Sequence, residues 1–63
     1  MDQILYNNHN QVIAQIRDES SNQRIYDASG RLLGRYEVSL DTTFDSSGSV
    51  IGKGNLLITL ISL

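Results

Sequence analysis

Sixty-three residues, 40% of them hydrophobic and 19% charged, make a single small domain (1–63) and exclude a disordered tail. A net charge of −2 argues against nucleic acid, whose binders usually carry a basic face. The most apolar stretch, 56–63, is far shorter than the ~20 residues of a bilayer-spanning helix, so no membrane is expected either.

In chain order, one pattern is written three times: Leu5-Tyr6-Asn7-Asn8-His9-Asn10-Gln11-Val12-Ile13-Ala14, Ile25-Tyr26-Asp27-Ala28-Ser29-Gly30-Arg31-Leu32-Leu33-Gly34 and Thr43-Phe44-Asp45-Ser46-Ser47-Gly48-Ser49-Val50-Ile51-Gly52. Its centre is an aromatic residue, Asp or Asn, two small or polar residues, then Gly or Asn. Asp27 and Asp45 each open a turn, where the carboxylate can bond the backbone two residues on. Gly30 and Gly48 close it, where the chain needs positive φ. A type I turn followed by a left-handed residue joins antiparallel strands, so three copies predict three hairpins and about six strands, at 3–17, 23–39 and 42–62.

The segments after each turn alternate with period two, as half-buried strands do. Val12, Ala14 and Ile16 are read as one face of the first copy, Leu32, Gly34, Tyr36, Val38 and Leu40 of the second, and Val50, Gly52, Gly54, Leu56, Ile58 and Leu60 of the third. Asp18–Gln23 reads as a polar loop. Between the second and third hairpins stands only Leu40-Asp41-Thr42, which predicts either a tight turn at Asp41 or one bent strand from Leu32 to Asp45. Gly52-Lys53-Gly54 predicts a bulge or a sharp bend. The fold class is therefore all-β: three tandem hairpin repeats in a small barrel or rolled sheet.

Leu56–Leu63 is read as a last strand that is apolar on both faces. In so small a domain one face meets the core and the other has little to cover it. Either the strand lies centrally and curls into a closed barrel, or, the reading preferred here, Leu57, Ile61 and Leu63 form a subunit interface. Size supports the same expectation. A chain of this length buries only ~60% of its unfolded surface, and small domains compensate with disulfides, metal or partners. There is no cysteine, hence neither disulfide nor thiolate zinc site; a single histidine and no acidic cluster leave no metal or other cofactor expected. The remaining remedy is association with itself, as a homodimer or homotrimer, or with another protein. The absence of cysteine fits a reducing, cytoplasmic location, and no secretory signal is expected at the amino end.

No catalytic residues are assigned, and an enzyme is not expected. His9 has no carboxylate or histidine beside it in sequence to make a base or a ligand set. Asp27 and Asp45 suggest a carboxylate pair, but their place in the repeated turns accounts for them. Ser46–Ser49 has no histidine in its own repeat, and the glycines around Lys53 lack the phosphate-loop spacing. The expected function is a non-enzymatic, self-associating structural or protein-interaction module. The alternative is a small β-barrel that binds a ligand or anion through Arg31, Arg35, Tyr26 and Tyr36.

Tyr26-Asp27-Ala28-Ser29-Gly30-Arg31-Leu32 resembles the YD-repeat signature of Rhs-type proteins, Tyr-Asp, two variable residues and Gly-Arg-Leu. The third copy, Phe44 to Val50, keeps that spacing without the tyrosine, arginine and leucine, and the first keeps only the tyrosine. Rhs shells take many more such repeats than three. The Asp-x-x-Gly-x-x-x-Gly hairpins, Asp27 to Gly34 and Asp45 to Gly52, are also similar to the opening hairpin of PRC-barrel modules, which implies a small barrel acting in assembly. Neither resemblance implies functional residues here.

Overall fold

The computed structural model describes residues 2–61. The chain forms one antiparallel sheet in which six strands lie side by side in sequence order: β1 (Gln3–Tyr6), β2 (Val12–Asp18), β3 (Asn22–Asp27), β4 (Leu32–Glu37), β5 (Thr42–Asp45) and β6 (Val50–Lys53). The all-β class and the strand number agree with the sequence. The barrel does not: the sheet runs from β1 to β6 and is not closed.

The three repeated turns share one geometry. The amide of Asn10, Gly30 and Gly48 donates to the carbonyl of Asn7, Asp27 and Asp45, at 3.1, 3.0 and 3.0 Å. The fourth residue of each turn has positive φ: 60° at Asn10, 92° at Gly30 and 91° at Gly48. Between β4 and β5 the first of the two expected alternatives holds. A 3-10 turn, Val38–Leu40, ends in Asp41 at φ 48°, and the chain reverses there.

Each hairpin also carries one extra residue just after its turn. Leu5 faces Ala14 while Tyr6 faces Val12, Ile25 faces Gly34 while Tyr26 faces Leu32, and Thr43 faces Gly52 while Phe44 faces Val50. Ile13, Leu33 and Ile51 are thus bulged at equivalent positions. A bulge shifts the strand by one residue and reverses the face of whatever lies on its far side. Val12, Leu32 and Val50, expected on the inner face, lie instead on the outer one and are exposed. The expected inner face holds from Ala14 to Ile16 and from Gly34 to Tyr36, but Val38 and Leu40, expected on it as well, lie in the turn before β5 and are exposed.

The C-terminal segment is the main correction. It is not a strand. After Gly54, at φ 84°, the chain leaves the sheet edge and crosses the inner face, where Leu57–Leu60 form a second 3-10 turn. The cause lies in the sheet: its inner face presents the small residues Ala14, Gly34 and Gly52, which leave room for a covering segment. A Cβ on Gly34 would collide with the Phe44 carbonyl and with Leu60 Cδ1, and one on Gly52 would come within 2.9 Å of Leu56 Cδ1. Thr43, fully buried, fixes the crossing. Its hydroxyl donates to the Gly54 carbonyl at 2.6 Å and accepts the Leu56 amide at 2.9 Å.

Leu57 is 1% exposed and forms the core with Ala14, Ile16 and Ile25; Leu5, Leu33, Tyr36, Leu60 and Ile61 pack around it. Full burial of a leucine contributes about 1.5–3 kcal/mol, so this segment does much of the work of the core. Leu57 therefore lies inside the molecule, not on a free interface, and Ile61 is half-buried against the same core. Leu63 lies outside the described residues. Among those residues no helix is long and apolar enough to cross a membrane.

Candidate binding face

Residues paired in register share a face, so the cross-strand register divides the sheet in two. The inner face is covered by the crossing segment. The outer face is open and holds two features.

The first is apolar. Each repeat places an aromatic residue opposite the first aliphatic residue after its turn: Tyr6 with Val12, Tyr26 with Leu32 and Phe44 with Val50. Cross-strand aromatic–aliphatic pairs stabilise a sheet, which explains their recurrence within the fold. They also leave apolar surface in water: Tyr6 is 56% and Val50 66% exposed, and Ile4 lies on the same face beside Gln15.

The second is cationic. Arg17 stands opposite Arg24, and Arg24 opposite Arg35, so three arginines form a row across β2, β3 and β4. The row ends on Phe44, paired with Arg35; the Arg35 guanidinium lies 4.4 Å from the Phe44 ring centroid. Lys53, opposite Thr42, shares the face. Arg35 is bonded to Glu37 at 3.1 Å, and Arg24 lies 3.7 Å from Glu19. Among the described residues Arg17 has no ion pair. Asp27 and Asp45 fall on the other face, opposite Ala14 and Gly34. The small net charge of the chain conceals this separation.

The turn carboxylates are engaged. Asp27 Oδ1 accepts the Ser29 hydroxyl at 2.7 Å and the amides of Ser29 and Arg31 at 2.9 Å each. Asp45 Oδ1 accepts the Ser47 hydroxyl at 2.7 Å and the amides of Ser47 and Ser49 at 2.9 and 3.0 Å. These bonds favour the charged form. The serine hydroxyl is the largest cause, the Arg31 or Ser49 amide the next, and both carboxyls are held below their usual 3.8. Asn7 makes the same two amide contacts, to His9 at 2.8 Å and Gln11 at 3.0 Å. His9 is thus an exposed turn residue.

The four residues of the expected ligand site are divided. Tyr26 and Arg35 lie on the open face. Tyr36 lies on the inner face, its hydroxyl donating to Asp41 at 2.8 Å, and that bond raises its pKa. Arg31 stays in its turn, 3.8 Å from Asp27 and largely in solvent. Arg17 and Arg24 were missed as members of a basic row, because only the register across three strands brings them to Arg35. No family model, curated protein or solved structure matches the chain.

Proposed function

We propose that the chain is a non-enzymatic β-module that self-associates and serves as a structural or protein-interaction element. The observation that carries this reading is the open face, where paired aromatic and aliphatic side chains remain in water beside a row of arginines. Exposed apolar patches rimmed by polar groups mark interaction surfaces. Two further observations support it. Among the described residues the sheet ends at β1 and β6, each paired on one side, and proline, a common means of blunting such edges, is absent from the sequence. The carboxylates that suggested catalysis are already satisfied within their turns.

Sedimentation equilibrium over about a hundredfold range of concentration tests the proposal. The mass should rise above the 7.0 kDa of the single chain, and the thermal midpoint should rise with it. A constant 7.0 kDa mass with an unchanged midpoint overturns self-association.

The arginine row favours a second reading, an anion site formed by Arg17, Arg24 and Arg35. Titration with inorganic phosphate separates the two. A monomer whose β2, β3 and β4 amide resonances shift with phosphate favours the anion site.

A further inference from the structure

The two internal junctions between repeats use one register. Where the first repeat meets the second, Ala14 faces Asp27 and Gln15 faces Tyr26. Where the second meets the third, Gly34 faces Asp45 and Arg35 faces Phe44. In the repeat alignment Ala14, Gly34 and Gly52 are equivalent, as are Gln15, Arg35 and Lys53, and likewise Asn7, Asp27 and Asp45. The small residue after the bulge always meets the turn Asp of the next repeat, and the residue after that meets the aromatic.

Among the described residues no strand lies beyond β6, which ends the third repeat, or before β1, which begins the first. Residues at these edges are more exposed than their interior counterparts. Tyr6 is 56% exposed, whereas Tyr26 and Phe44 are half-buried; Ile51 is 38% exposed, whereas Ile13 and Leu33 are half-buried. What the edge residues lack is the following or preceding repeat.

We propose that β6 of one molecule pairs antiparallel with β1 of a second copy in the register used inside the chain, placing Gly52 opposite Asn7 and Lys53 opposite Tyr6 of that copy. The inference rests on the self-association proposed above and places it at the two edges of the sheet, leaving the open face uncovered. The strands are oriented for it. Alternation makes β1 parallel to β5, so a copy set beside β6 in the same orientation continues the antiparallel order. Lys53 then lies over the Tyr6 ring of the second copy, as Arg35 lies over Phe44 at 4.4 Å within the chain, and a cation over a tyrosine face is attractive. Ile51 gains the turn of the second copy as a neighbour. The contact is heterologous, so it adds molecules in a row unless the curvature of the sheet closes a ring.

The absence of cysteine makes the test direct. Within one chain Tyr6 and Lys53 lie on edges five strand spacings apart, each about 4.8 Å, beyond the reach of a disulfide. Tyr6→Cys and Lys53→Cys are made as separate variants, each checked for the wild-type circular dichroism spectrum, then mixed and oxidised. The expected result is a disulfide-linked dimer at least tenfold more abundant than from Ile4→Cys mixed with Lys53→Cys, a pair displaced along the same edge on the same face. The double variant Tyr6→Cys/Lys53→Cys should give a ladder of multimers. Tyr6→Lys sets like charges opposite each other and should return the sedimenting mass toward 7.0 kDa. Association of the wild type with equal cross-linking of the two pairs, or with none, overturns the edge register and leaves self-association standing. A wild-type monomer at every concentration overturns both.

Discussion

Asn7, Asp27 and Asp45 build one turn with two chemistries, and the turn built by the uncharged Asn7 amide is an internal control for the two built by carboxylates. The bonds made by Asp27 and Asp45 lower their folded pKa below the unfolded value. Groups of that kind add stability above the unfolded pKa and lose it as pH falls through the folded one. The wild type should therefore weaken below about pH 4, and Asp27→Asn/Asp45→Asn should flatten that limb while keeping the turns, because Asn7 keeps its own. Thermal midpoints from pH 7 to pH 2 check this; an acid limb unchanged in the double variant contradicts it. Nothing lies within 4 Å of where a Cβ would stand on Gly30 or Gly48, so a side chain there meets only its own backbone. Gly48→Val should cost about 1 kcal/mol or more, since β-branched residues resist positive φ, and Gly48→Asn less, since Asn10 already holds that conformation in the first repeat. Chemical denaturation gives both values.

At the scale of the element, what could be read from the sequence was what local chemistry decides. Asp or Asn, two residues, then Gly or Asn fixes a turn without help from the rest of the chain, and all three turns form as expected. The bulges were not read, although each is marked by adjacent aliphatics, Val12-Ile13, Leu32-Leu33 and Val50-Ile51. In an alternating pattern a doublet is ambiguous, because either member can face inward, and only cross-strand register decides. The last segment misled for the converse reason. Leu56–Leu63 suits a strand buried on both sides, but burial on both sides requires a second layer that this sheet lacks. The chain uses the segment as that layer, over small residues that recur at one repeat position as Ala14, Gly34 and Gly52. The open face was half legible: Tyr26 and Arg35 were singled out, but the partners of Arg35 lie on other strands. Gly34 tests the account of the crossing segment. Gly34→Ala drives a methyl into the Phe44 carbonyl and Leu60 and should cost about 1–3 kcal/mol. Gly52→Ala meets only the mobile end of Leu56 and should cost less. A stability loss at Gly52 equal to that at Gly34 would show that the segment does not pack as described.

Across the whole molecule, the fold separates charge that the sequence spreads along the chain. Arg17, Arg24, Arg35 and Lys53 fall on the open face with Glu37, while Asp27 and Asp45 fall on the other. Like charges directly opposite one another in a sheet destabilise it, and here Arg24 opposes an arginine on each side. The two acidic neighbours offset this only partly: Glu19 and Arg24 form a long, exposed pair, and Arg17 has no ion pair among the described residues. The row therefore weakens the isolated domain. A stability cost carried on an uncovered surface fits a surface used for binding, because functional sites are where local rules for stability are broken. Two measurements follow. Added salt screens exposed charges, so the thermal midpoint of the wild type should rise from low to moderate ionic strength. Arg17→Gln removes one opposed pair without breaking an ion pair; at low salt it should stabilise by about 0.2–1 kcal/mol, a rise of up to several degrees for a domain of this size. The variant's remaining response to salt should be smaller than that of the wild type. If Arg17→Gln lowers the midpoint at low salt, the arginines support the sheet through their packed stems, and the row is part of the fold, not of a binding surface.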